Sequence, residues 1–137
     1  MILVDANIPM YAAGAKHPNK APSVAMLEAV ADGRLEAGLD TEVLQEILHR
    51  YRAIRRWKDG RVVFDLCRRI FPVVYPVSVE ILDRARGLLD AHKSLGARDA
   101  LHASVVLEYK LDAICSYDRG FDVTGIRRLD PDKLLGS

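Results

Sequence analysis

The chain has 137 residues, half of them hydrophobic and 28% charged, with 20 basic against 19 acidic side chains. That length allows a full hydrophobic core without disulfide or metal staples, and the composition excludes a disordered chain. The near-neutral balance excludes a polycation, so any contact with nucleic acid must come from local charge.

Other classes fall on short motifs. The apolar runs, such as Val73–Tyr75, fall far short of the ~20 residues that a membrane span needs, so no membrane partner is expected. Met1–Asp5 has no basic n-region and meets an acid at once, which predicts no signal peptide. Cys67 and Cys115 lack metal-type spacing and read as reduced core thiols of a cytoplasmic protein. The histidines His17, His49, His92 and His102 are scattered without cysteine partners, which argues against zinc. No repeat, low-complexity stretch or linker interrupts the chain, so one domain over residues 1–137 is expected.

In chain order, Ile2–Val4 is an apolar run ending at Asp5. Ala21–Ala31 reads as a helix, and Glu36–Leu39 as a short strand after the Asp32-Gly33 turn. Thr41 to about Arg56 is the clearest helix, with Leu44, Ile47, Leu48 and Tyr51 on one face. A second helix is expected from about Gly60 to Ile70. Val73–Val77 is β-branched, and Pro72 and Pro76 make it a short or edge strand. Ser78 caps a helix running to about His92. Ala97–Tyr109 is a further helix, Ala113–Cys115 a central strand and Ile126–Leu129 a last strand. The alternation predicts an α/β fold with a mostly parallel sheet of about five strands and helices on both faces.

The acids fall in one kind of place. Asp5 ends the first strand, Glu42 follows the second and opens a helix, and Asp118 follows the fourth. Asp99 starts the helix that leads into that fourth strand, and Asp122 lies just beyond. Open parallel sheets bind ligands outside the carboxyl ends of their strands. If strands 1, 2 and 4 are neighbours, Asp5, Glu42 and Asp118 converge there and Asp99 joins them. Such a cluster is tolerable only when protons or cations neutralise it, and hard divalent cations do so well. A site of that kind activates water for phosphodiester displacement. Bland readings stand beside this one. Asp99 and Glu42 each suit a first helical turn, Asp118 and Asp122 suit turns, and Glu46 suits an i,i+4 pair with Arg50.

Four segments carry a family resemblance: Val4–Tyr11, Thr41–Tyr51, Ala97–Ala103 and Cys115–Asp122. In that order and spacing the chain resembles the PIN-domain ribonucleases, and specifically the VapC-like toxins of type II toxin–antitoxin systems. The resemblance implies an αβα sandwich and Mg²⁺- or Mn²⁺-dependent endonucleolytic hydrolysis of RNA. It implies that Asp5, Glu42, Asp99 and Asp118 form the catalytic metal site. Asn7 and Ser116 would orient a carboxylate or a water, and Asp122 would be an additional acid. It also implies a cognate antitoxin and a homodimer.

Residues 49–69 hold eight arginines and lysines against two aspartates, with Tyr51 and Trp57 interleaved. This segment, with Arg50, Arg55, Arg56 and Trp57, reads as an RNA rim, as a dimer or antitoxin surface, or as a solvated helix pair. His102, three residues after Asp99, reads as a core or orienting histidine rather than a general base. Two other function classes stay open. One is an aspartate-phosphoacceptor phosphotransfer enzyme, against which Asn7 stands where a second acid would be needed. The other is a non-catalytic PIN-like module that binds RNA or protein.

Overall fold

The computed structural model describes residues 1–136. Ser137, the last residue of the expected domain, lies outside the described residues. The strands are β1 (Ile2–Val4), β2 (Ala37–Asp40), β3 (Val74–Tyr75), β4 (Ala113–Cys115) and β5 (Arg128–Leu129). The helices are α1 (Asn7–Ala13), α2 (Lys20–Ala31), α3 (Thr41–Ala53), α4 (Trp57–Ile70), α5 (Val79–Ala91), α6 (Ala97–Glu108) and α7 (Pro131–Leu134), with a 3-10 turn at Arg119–Thr124.

All strand pairs are parallel, in the order β3-β2-β1-β4-β5. Strands 2, 1 and 4 are therefore neighbours, as the convergence of the acids requires. The order reverses between β1 and β4, which makes that crevice the switch point of the sheet. Side chains alternate across the central strands. Ile2, Val4, Ala113 and Cys115 pack with α1–α4, while Leu3 and Ile114 pack with Ile81 of α5, Ala103 and Val105 of α6, and Phe121. Both faces of β1 and β4 are thus buried under helices, as expected for a parallel sheet.

Several boundaries differ from the sequence reading for local reasons. The predicted helix 41–56 stops at Ala53: Arg55 takes the left-handed conformation at φ 60°, and the Arg56 N–H bonds back to the Tyr51 carbonyl at 2.9 Å. The next helix starts at Trp57, before Gly60. Gly60 lies against Tyr51 where a side chain could not: an added Cβ would stand 2.4 Å from the Tyr51 Cβ. The expected strand 73–77 narrows to two residues, bracketed by two prolines that cannot donate to a ladder. Helices α1 and α7 were not expected. In α1, Pro9 sits in the first turn, where its missing N–H costs nothing. Among the described residues, no helix is long and apolar enough to cross a membrane.

Candidate active site

The register of the sheet builds the floor of the site. Val4 pairs with Cys115, so the next residues, Asp5 and Ser116, emerge side by side at the carboxyl ends of β1 and β4. The Asp5 N–H closes the pairing on the Cys115 carbonyl at 3.0 Å. On the other flank, Leu3 pairs with Gly38. Continued for two residues, that register sets Asp40, the last residue of β2, alongside Asp5.

Asp5 is buried, and donors hold both of its carboxylate oxygens. The Ala6 N–H donates to Oδ1 at 2.7 Å. The Ser116 hydroxyl donates to Oδ2 at 2.7 Å, and Asn7 Nδ2 reaches the same oxygen at 3.3 Å. Asn7 also donates to Ser116 Oγ at 3.0 Å, and so does the Asp118 N–H. The structure thus places Asn7 and Ser116 directly against Asp5, with Ser116 linking Asp5 to the backbone of Asp118.

Asp99, in the first turn of α6, and Asp118 meet beside them. Burial, a hydrogen bond with Asp118, and the charges of Asp118 and Asp5 push the Asp99 carboxyl up to about 7. The two can approach because the residue facing both is Gly120, whose N–H donates to Asp118 Oδ1 at 2.8 Å. An added Cβ there would lie 2.8 Å from Asp99 Oδ2 and 3.0 Å from Asp118 Oδ1.

The glutamates of α3 divide. Glu46, half-buried, offers a carboxylate oxygen that lies, with atoms of Asp5 and His102, in a group within 4.8 Å of one another. Burial, then the Asp5 charge, raises its carboxyl above the usual range, and Arg98 opposes them. Its ion pair is with Arg98, at 3.4 Å. Glu42, one turn earlier, lies 3.6 Å from the same guanidinium. The sequence reading gave the metal site to Glu42 and an Arg50 pair to Glu46; the structure brings Glu46 to Asp5. Asp122 is exposed and bonded to Arg128 at 2.9 Å, which holds its carboxyl below the usual range. Arg128 in turn donates to the Ser116 carbonyl at 3.1 Å.

His102 is fully buried, with Nδ1 2.6 Å from Asp40 Oδ2 and Nε2 3.7 Å from Asp5 Oδ1. Burial pulls its pKa down, but the charge and hydrogen bond of Asp40, with Asp5 and Glu46 behind, outweigh that and hold it at about 9. The sequence reading did not single out Asp40. The available signal was that Ala37–Asp40, like Ile2–Asp5, is an apolar run ending in an acid.

Of the basic segment, Arg50 lines an opening shared with Asn7, Met10, Tyr11 and Glu46. Arg56 pairs with Asp59 at 2.7 Å, and Arg52 lies over the Trp57 ring at 5.3 Å. Arg55 is exposed at the corner between α3 and α4.

The residues present fit a hard divalent cation. The donors are mostly carboxylate oxygens, the type such ions prefer. Glu46 Oε1 is buried and makes no hydrogen bond, its nearest cation being Arg98 at 3.4 Å. Burial first and neighbouring carboxylates second raise the Asp99 and Glu46 carboxyls, which a bound cation would offset. Fold and site together define an α/β protein with acids gathered at the carboxyl ends of a parallel sheet. The chain belongs to the PIN-domain family, whose model matches residues 2–126. It is 43% identical over 130 residues to the VapC ribonuclease Mb1869c of Mycobacterium bovis, a match covering 94% of this chain and 99% of that one. Ribonuclease VapC13 of Mycobacterium tuberculosis matches with the same identity and coverage. The crystal structure of the sarcin–ricin-loop-cleaving toxin VapC20 of M. tuberculosis superposes with a TM-score of 0.80 at 14% identity, covering 96% of this chain and all of that one.

Proposed function

We propose that the chain is a metal-dependent endoribonuclease toxin of a toxin–antitoxin pair, a single PIN-like domain acting in the cytoplasm. The observation that carries this reading is the gathering of Asp5, Glu46, Asp99 and Asp118 at the switch point of the sheet. The likeness to VapC ribonucleases along nearly the whole chain supports it.

Asp5, Glu46, Asp99 and Asp118 would hold Mg²⁺ or Mn²⁺. Such an ion, when bound, neutralises the acids and makes water a competent nucleophile near neutral pH. The remaining parts belong to the chain. Asn7 and Ser116 orient Asp5. Glu42 holds Arg98 at the rim, and Asp122 holds Arg128 against the Ser116 carbonyl. Arg50, at the opening beside Glu46, meets an RNA phosphate as a sequence-independent contact. In the reaction a water oxygen bonds to phosphorus and the P–O3′ bond breaks, leaving a 5′-phosphate and a 3′-hydroxyl.

A cognate antitoxin would cover the acids, and an arginine on its tail is the best charge match. Arg55, Arg56 and Trp57 serve that partner, the RNA or a second copy in a homodimer.

The test is cleavage of end-labelled RNA by wild type and Asp99→Asn, in Mn²⁺ and in EDTA. Discrete fragments from wild type in Mn²⁺ alone are expected. Undiminished cleavage by Asp5→Asn and Asp99→Asn would refute the reading. RNA binding without turnover, surviving loss of the acids, would favour a non-catalytic binding module.

A further inference from the structure

The molecule buries an acid and a base that the proposed reaction does not use. Asp40 and His102 are both fully enclosed and bonded to each other at 2.6 Å. A buried ion pair adds little stability over well-packed apolar residues of the same volume, so strength alone does not account for it. Asp40 has a second contact: its Oδ1 accepts the Val43 N–H at 2.9 Å and so caps α3, the helix that carries Glu46. His102 also has a second side. Its Nε2 is buried, has no hydrogen-bond partner, and faces the group formed with Asp5 and Glu46. A core histidine kept only to satisfy Asp40 would not need its other nitrogen aimed at two carboxylates.

We propose that Asp40 and His102 are a positioning pair for the metal-holding acids. Asp40 fixes the imidazole through Nδ1, and Nε2 sets where the Asp5 carboxylate stands relative to Glu46. This rests on the metal-site reading given above. The hydrogen bonds to Asp5 come from Ala6 and Asn7, which follow β1, and from Ser116, which follows β4. On the opposite flank, where Asp40 ends β2, His102 Nε2 stands 3.7 Å from Asp5 Oδ1, a charge contact rather than a hydrogen bond. One buried carboxylate thereby links three of the four segments that bring acids to the site: the end of β1 with Asp5, α3 with Glu46, and α6 with Asp99, while Asp118 comes from the segment after β4. Groups that orient metal ligands from behind in this way affect metal affinity by about 10–100-fold.

The experiment is Mn²⁺ calorimetry on the full chain, wild type against Asp40→Asn, His102→Asn and His102→Gln, with folding checked for each. Asn can restore the Nδ1 bond to Asp40, whereas Gln can place an amide where Nε2 stood. A positioning role predicts that His102→Asn and Asp40→Asn lose about 10–100-fold in Mn²⁺ affinity and that His102→Gln recovers part of it. A purely structural role predicts wild-type affinity in every folded variant, with stability best preserved by His102→Asn. A second measurement needs no variant: in ¹⁵N-labelled wild type, Mg²⁺ should shift the His102 Nε2 resonance far more than Nδ1. Wild-type affinity in the folded variants with an unmoved Nε2 resonance would overturn the pairing alone. Failure of wild type to bind any divalent ion would overturn the metal site, and the pairing with it.

Discussion

A methyl group at Gly120 would enter the narrowest part of the acid cluster. The added carbon would lie 2.8 Å from Asp99 Oδ2 and 3.0 Å from Asp118 Oδ1. Carbon–oxygen contacts settle at about 3.3 Å or beyond, so the carboxylates must retreat by roughly half an ångström. The two move together: Asp99 shares a hydrogen bond with Asp118, and Asp118 accepts the Gly120 N–H. A misplacement of ~1 Å at a reacting centre can cost about a hundredfold, so half of that should slow cleavage about tenfold. The fold should not suffer, because Gly120 is not among the residues with positive φ and alanine meets no backbone strain. Loss of freedom in the unfolded chain could even add up to ~1 kcal/mol. The assay is RNA cleavage in saturating Mn²⁺ beside a denaturant melt of the same sample. Wild-type cleavage by Gly120→Ala would refute the geometry. A fall in stability parallel to the fall in rate would refute the claim that the effect is local to the acids.

Other outcomes follow from the same contacts. Glu46→Gln should weaken Mn²⁺ binding by at least about tenfold. Glu42→Gln, whose carboxylate lies 3.6 Å from Arg98 at the rim, should stay near wild type in the same titration. Gly60→Ala drives a Cβ into Tyr51 between α3 and α4 and should cost about 1–3 kcal/mol in urea unfolding. Burial pushes both the Cys67 and Cys115 thiols up to about 12. At pH 7.5 neither should react with iodoacetamide in the folded protein, and both should react once it is unfolded.

How far the sequence could be read depended on the kind of signal. The short strands and long amphipathic helices were legible because burial on one face or two imposes a visible period. Ser78 was legible as a cap, and its hydroxyl accepts the Ile81 N–H at 3.3 Å. Asp5, Asp99 and Asp118 were legible as neighbours because each lies at the end of a strand or the start of a helix, and the strand order joins those ends. The choice between Glu42 and Glu46 was not. Four residues apart, they share a helix face, and which of them reaches Asp5 depends on how α3 leans across the sheet, a tertiary fact. Asp40 was hidden for a similar reason. Its role as helix cap explains it locally, and its bond to His102, 62 residues away, leaves no trace in spacing. Helix α1 was missed because proline punctuates the pattern that would otherwise announce it.

The sheet also constrains how this chain can meet another one. Its two outer strands, β3 and β5, are two residues long each. Joining a foreign strand to a sheet needs a run of open amide and carbonyl groups, and short outer strands are a known defence against such pairing. Here that run is nearly absent at both margins. Pairing by strand addition is therefore disfavoured at both margins, and a partner would meet chiefly side chains on helices and loops, where residue identity decides the match. A chain read by its side chains can be told apart from its relatives, whereas one read by bare backbone could not.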